Sequence, residues 1–204
     1  LMMVMLPMVA SAYDAYINGI YYNLGTTVAE VTCNQGQHYT GDIVIPEKIT
    51  YIDTEYTVTG IGGYAFNYCS ELTSVTIPNS VTYLGFQAFN GCSSLKSISL
   101  PPHLITIGDR AFYGCSNLTS IIIPNSVTTI GQSAFYCCPL TSIELGNGVT
   151  SIGDGAFSGS STLTAVYITD LEAWCNITFE GPDSSPLHRA HHLFLNGNEI
   201  TELV

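Results

Sequence analysis

Positive charge is nearly missing from this chain: four Lys and Arg residues stand against 16 Asp and Glu among 204 residues, and charged residues make up only 10% of it. A net charge of −12 repels phosphate backbones, which excludes nucleic acid as a partner and disfavours anionic membrane surfaces for the same reason. Ser, Thr, Asn and Tyr take the place of charge at the surface, a composition that suits an extracellular protein. No apolar run approaches the roughly 20 residues of a membrane span, so the mature chain is expected to have no transmembrane segment. There is no CxxC and no short Cys/His ligand spacing, which speaks against zinc. A nucleophile elbow, a phosphate loop, paired carboxylates and a Cys/His couple are also lacking, and the glycines do not form GxGxxG. The chain reads as a protein without catalytic activity, cofactor or metal.

What is present is a repeat. Ala-Phe pairs stand at Ala65-Phe66, Ala88-Phe89, Ala111-Phe112, Ala134-Phe135 and Ala156-Phe157, three intervals of 23 residues and one of 22. A near-constant period predicts one structural unit stacked on the next, a solenoid that offers an extended surface rather than a cavity built around chemistry. Leu95 to Asn117 serves as the template. Leu95, Ile98 and Leu100 give the apolar side of a short strand, repeated as Leu72-Val75-Ile77, Leu118-Ile121-Ile123 and Leu140-Ile143-Leu145. A strand is therefore expected to open every coil, with Ser97 and Ser99 on its wet face. Pro78, Pro101 and Pro124 end it, and Gly146 takes that turn in the next coil. A second apolar pair follows, Val81 with Leu84, Leu104 with Ile107, Val127 with Ile130 and Val149 with Ile152. Gly62, Gly85, Gly108, Gly131 and Gly153 come next, at a redirection where a side chain would clash or a positive φ is needed. The Ala-Phe pair then fits one helical turn, and stacking aligns five phenylalanines, each ring worth about 2–3 kcal/mol of burial.

The run Leu72 to Cys92, L-T-S-V-T-I-P-N-S-V-T-Y-L-G-x-x-A-F-x-x-C, resembles the repeat of BspA-like leucine-rich repeat proteins, which are bacterial and protozoan surface proteins. The common leucine-rich repeat has an Asn ladder where this chain has Ser80, His103, Ser126 and Gly148, so the BspA-like class fits better. The resemblance covers roughly residues 43–168. It implies a strand-dominated leucine-rich-repeat solenoid with short helical turns, a parallel β-sheet along one face, and adhesion to host or bacterial surface proteins.

Residues 1–12 end in Ala10-Ser11-Ala12 and match part of a secretory signal peptide without its basic start. Residues 13–60 are expected to form a β-rich N-terminal cap leading into the first coil: Ala15 to Leu24 turning at Asn18-Gly19, Thr27 to Cys33, Asp42 to Ile45, and an insertion from Tyr51 to Thr59. Residues 61–168 hold the repeats. In residues 169–204 the pattern breaks into an irregular insertion, with Asp170 as a helix N-cap, then a hairpin around Asn196-Gly197 and the start of a further, truncated repeat.

Cys69, Cys92, Cys115 and Cys138 recur three residues after each Phe, and Ser160 continues the row. Adjacent coils would bring them roughly 5 Å apart, within disulfide range; the substitution by Ser160 favours small buried residues instead. His188, His191 and His192 could share a helical face, but no carboxylate is placed convincingly beside them, so no metal site is expected. Asn117-Leu118-Thr119 and Asn176-Ile177-Thr178 read as accidental glycosylation patterns.

On the strand face Ser74, Ser97, Ser120 and Ser142 are constant, whereas Thr76, Ser99, Ile122, Glu144 and Tyr167 differ. Variation on a fixed scaffold marks these five as a partner-binding face. The expected function is a secreted or cell-surface, adhesin-like protein-binding module. A structural spacer displaying another domain is the alternative, and a surface-polymer hydrolase, which only residues 170–192 are irregular enough to house, is the third reading.

Overall fold

The computed structural model describes residues 13–33, 38–181 and 183–201. Residues 1–12, expected from the sequence to be part of a signal peptide, fall outside them. The chain opens with β1 (Ala15–Ile17), β2 (Ile20–Leu24) and β3 (Val28–Thr32), then β4 (Gly41–Val44), β5 (Lys48–Tyr51) and β6 (Thr54–Ile61). The coils follow as β7 (Leu72–Thr76), β8 (Tyr83–Leu84), β9 (Thr106–Ile107), β10 (Ser120–Ile122), β11 (Thr129–Ile130), β12 (Ser142–Glu144), β13 (Ser151–Ile152) and β14 (Ala165–Ile168). Last come α1 (Leu171–Cys175), β15 (Thr178–Phe179), α2 (Leu187–Ala190), β16 (His192–Leu195) and β17 (Asn198–Glu199).

The molecule is a strand-dominated parallel solenoid with three sides. The first side carries the strands that open each coil, with β4 on β7 and β10-β12-β14-β16 in parallel register. The second apolar pair, read from the sequence only as buried residues before a glycine, makes another parallel ladder, β3-β6-β8-β9-β11-β13-β15. The cap strands β1 and β2 add to this second ladder through antiparallel pairing, and β5 folds back on β6. The third side is bonded too. Phe66 N–H donates to the Ala88 carbonyl, Phe89 to Ala111 and Phe112 to Ala134, each at 2.7 Å, and Phe135 to Ala156 at 2.8 Å.

One strand expected from the sequence does not form. Residues 96–100 keep the alternation, with Ile98 and Leu100 inside and Ser97 and Ser99 outside, but no inter-coil backbone hydrogen bond joins them to β7 or β10. Side-chain burial alone holds this segment, and the first side is split into β4-β7 and a five-stranded sheet beginning at β10. Periodicity reports which side chains are buried; whether a strand's amides reach the next coil is a separate matter.

The Ala-Phe segment is a run of overlapping turns where one helical turn was expected. Ala88, Asn90 and Cys92 donate to the carbonyls three residues earlier, Gly85, Gln87 and Phe89. Left-handed residues interrupt any helix: Tyr64, Gln87, Arg110 and Ser133 before the Ala, and Tyr68, Gly91, Gly114 and Cys137 two after the Phe. The invariant turn glycines are not among the left-handed residues. They are required by contact: a Cβ on Gly131 would lie 2.5 Å from the Asp109 amide nitrogen, and one on Gly153 2.5 Å from that of Gln132.

The core is a set of files running along the axis. Phe66, Phe89, Phe112, Phe135 and Phe157 are fully buried and stack with centroids 4.9–5.5 Å apart and planes within 6°. Tyr39 closes the N-terminal end, its ring 4.8 Å from Phe66 and its hydroxyl donating to the Thr32 carbonyl at 2.7 Å. Its own amide donates to Cys69 Sγ at 3.3 Å, so one residue terminates both the aromatic and the cysteine file.

The cysteine file is a row of free thiols. Cys92 Sγ donates to the Phe66 carbonyl and Cys115 Sγ to that of Phe89, both at 3.1 Å, Cys138 Sγ to Phe112 at 2.9 Å, and Ser160 Oγ to Phe135 at 3.4 Å. Cys and Ser alternate because both are small and both donate. Ser80 and Ser126, where an Asn ladder would stand, bond the preceding coil in the same way, to Val58 and Leu104 carbonyls at 2.6 Å.

Burial pushes the Cys69 thiol from its ordinary 9.0 up to about 11 and the Tyr22 phenol from 10.0 up to about 12. Cys92 is raised by burial and then by its neighbour Cys69, and Cys138 by its hydrogen-bonded neighbour Cys115 and then by burial. Since the folded values exceed the unfolded ones, the unfolded chain loses these protons first. Their contribution to stability is complete below about pH 9 and is lost as pH rises through the folded values. Thermal unfolding followed by circular dichroism should give a melting temperature that falls progressively from about pH 9 upward. Iodoacetamide at about pH 8 should label the exposed Cys137 and Cys175 and spare the file, because only thiolates react; rapid labelling of Cys92 or Cys138 would show that the coils part in solution.

Beyond β14 the sequence pattern is lost, yet the backbone continues its path. Asp170 caps α1 by accepting the Ala173 amide at 3.0 Å. Trp174 is buried against Phe179, with ring centroids 5.7 Å apart. β15 then joins the second ladder and β16 the first, and the Asn196-Gly197 turn brings β17 back antiparallel to β16.

Candidate binding face

Three of the five residues expected on the partner-binding face stand in one row. Ile122 of β10 pairs with Glu144 of β12, and Glu144 with Tyr167 of β14. The row gains a member the sequence did not suggest, Phe194 of β16, which pairs with Tyr167. Thr76 lies on β7 opposite Val44, and Ser99 on the unbonded segment, so neither is in continuous register with the other three. Phe194 is hidden from the sequence because the repeat is lost before it.

The row borders a groove of about 420 Å³. Its floor is formed by Ile123, Leu145 and Ile168, and its outer wall by Ile122, Glu144 and Tyr167. Ile122 is 61% exposed, a large apolar side chain held open by its place on an outward strand position. Tyr167 and Phe194 stack with centroids 4.9 Å apart and planes at 23°. The far rim is polar. Asn125 Oδ1 accepts the Asn147 amide at 3.0 Å, and Asn147 Oδ1 accepts the Thr169 hydroxyl at 2.7 Å. Asn125 and Asn147 recur at the turn after β10 and β12, and Asn147 ties Asn125 and Thr169 together from behind the groove.

The histidines do acquire carboxylate neighbours, contrary to the sequence expectation. β16 and β17 place Glu199 Oε1 2.5 Å from His192 Nδ1, and Asp183 lies 3.4 Å from His188 Nε2 and 3.7 Å from Arg189. His191 is turned away from any shared helical face because it is the left-handed residue that ends α2. These are separate pairs, and among the described residues no three His, Cys, Asp or Glu side chains converge on one point. Among the described residues no helix is long and apolar enough to cross a membrane.

Parallel coils stacked along one axis, with an outward strand row that varies in residue type, define a leucine-rich-repeat solenoid, a class of repeat protein that uses extended surfaces for protein interaction. The chain belongs to the BspA-type leucine-rich repeat family, whose repeat region matches residues 59–182 in six copies. The fold is similar to that of a leucine-rich repeat protein from Bacteroides ovatus, at 28% identity and a TM-score of 0.67, over 91% of this chain and 54% of that one. The chain thus spans about half the length of that relative. A T. pallidum leucine-rich repeat protein is 30% identical with a TM-score of 0.65, covering 79% of this chain and 78% of that one. The pneumococcal vaccine antigen PcpA shares the fold, with 21% identity and a TM-score of 0.58 over 93% of this chain and 48% of its own. None of the curated proteins matches the chain.

Proposed function

We propose that this chain is an adhesin-like module of a secreted or cell-surface protein, and that it binds a surface protein of a host or another bacterium through the row Ile122, Glu144 and Tyr167. The observation that carries this reading is the combination of a rigid repeated scaffold with a row that changes chemically from coil to coil beside an open groove. Within that row the outward Ile122 offers an apolar anchor of the kind contact surfaces use. Membership of the BspA-type leucine-rich repeat family supports a protein-interaction role.

The immobilised chain should retain proteins from a host-surface extract, and the triple variant Ile122→Ser, Glu144→Ser, Tyr167→Ser should reduce that capture at least about tenfold, the loss of one or two central anchors. Circular dichroism should be unchanged, because all three side chains point away from the core. Undiminished capture by a folded triple variant would move the binding site to another side of the solenoid.

A further inference from the structure

We infer that the groove seats a cationic side chain, an arginine or lysine carried on an extended apolar segment of the protein partner. This rests on the strand face being the binding surface and specifies what that surface recognises.

Three observations converge on one point in the groove. First, Phe194 covers one face of the Tyr167 ring, stacked along the solenoid axis. The opposite face of Tyr167 therefore looks back along the axis toward the preceding coil, where Glu144 occupies the neighbouring register position. Strands in register lie roughly 4.8 Å apart, so a cation at the exposed edge of the row can reach both the Tyr167 ring and the Glu144 carboxylate. Aromatic faces attract cations through the ring quadrupole, and a carboxylate beside the ring adds a second attraction at the same place.

Second, the Glu144 carboxylate is exposed and has no hydrogen-bond or ion-pair partner among the described residues, so it is free to meet a charge on the partner. No Lys or Arg lines the groove. A cation for Glu144 has to be brought by the partner.

Third, the surroundings fit the remainder of such a segment. Ile122 lies on the other side of Glu144 in the same row and offers an apolar contact to the residue next to the cation. Asn125, Thr169 and Asn196 give the groove a polar edge for the backbone of such a segment. With a net charge of −12, the chain as a whole favours the approach of a basic segment and disfavours an acidic one.

The test uses the ¹⁵N-labelled full chain and two synthetic peptides, acetyl-Gly-Leu-Arg-Leu-Gly-amide and the same peptide with citrulline for arginine, which keeps the shape and removes the charge. In an NMR titration the arginine peptide should shift the amide resonances of Ile122, Gly146, Tyr167 and Asn196. Citrulline should weaken binding about fivefold, the scale of an exposed cation–π contact joined to a surface ion pair. Glu144→Gln should weaken the arginine peptide about fivefold and leave the citrulline peptide unchanged. The control Glu47→Gln, an exposed carboxylate away from the groove, should change neither.

Equal affinities for the two peptides, equal losses in Glu144→Gln and Glu47→Gln, or shifts clustered outside the groove would each overturn the cation seat. If the cation seat fails in this way while the triple variant still loses capture, the binding face stands and only its specificity is different. If the triple variant keeps full capture, the broader reading fails whatever the peptides do.

Discussion

Replacing Phe112 by alanine should lower the stability of the whole solenoid by about 3–5 kcal/mol, the range for truncating a buried aromatic ring. For a chain of this size that corresponds to a fall in melting temperature on the order of 10 °C. Phe112 is fully buried and lies between Phe89 at 5.3 Å and Phe135 at 5.2 Å, so its loss opens a void facing both neighbours. In a stack whose stability is a sum of coil and interface terms, a central ring contributes to two interfaces. Phe112→Leu, which restores most of the volume, should cost less than about 1.5 kcal/mol. Thermal melts and urea titration of both variants give the comparison. A cost below about 1 kcal/mol for the alanine variant would mean that the aromatic file is not the continuous core described above.

Gly131→Ala should be more damaging than its single added methyl group suggests, by about 3 kcal/mol, the upper end for overpacking a rigid site. The new Cβ would lie 2.5 Å from the Asp109 amide nitrogen and 2.6 Å from the Gly108 carbonyl carbon, and backbone atoms of a bonded coil cannot rotate aside. Gly114 is the control. It has φ +66° and nothing within 4 Å of its Cβ position, so Gly114→Ala meets only the intrinsic cost of the left-handed region, about 1–2 kcal/mol. Gly114→Asn should cost less still, since Asn tolerates that region. Equal effects at Gly131 and Gly114 in urea titrations would refute the contact explanation for the repeated glycine.

These two glycines show where sequence reading reached its limit. The recurrence of Gly62, Gly85, Gly108, Gly131 and Gly153 signalled a constraint, with clash and positive φ as the two candidate causes. The fold selects clash for these glycines and puts positive φ at Tyr64, Gln87, Arg110 and Ser133, four residue types that give no shared signal. The cysteine file was similar: its period was plain, but that each thiol donates to a phenylalanine carbonyl one coil back depends on the lateral offset between coils.

The candidate binding face was legible in part. The alternation of buried and exposed residues put Ile122, Glu144 and Tyr167 outward, and a common period put them in one row. Their union with Phe194 was not legible, because the chain leaves the repeat through α1, β15 and α2 before β16 returns to the first ladder. The separation of Thr76 and Ser99 from this row was equally hidden. Segment 96–100 has the same burial pattern as its neighbours and differs only in its backbone hydrogen bonds.

The repeat period, the identity of the buried files and the acidic, cation-poor surface follow from the residues alone, because burial and charge are properties of side chains read at a fixed spacing. The second ladder, the break at the third coil, the ring of Phe194 behind Tyr167 and the carboxylate of Glu144 without a partner among the described residues are decided by the tertiary structure. They depend on how one coil is offset against the next and on where a non-repeating segment rejoins the stack, and neither quantity is encoded at any single position.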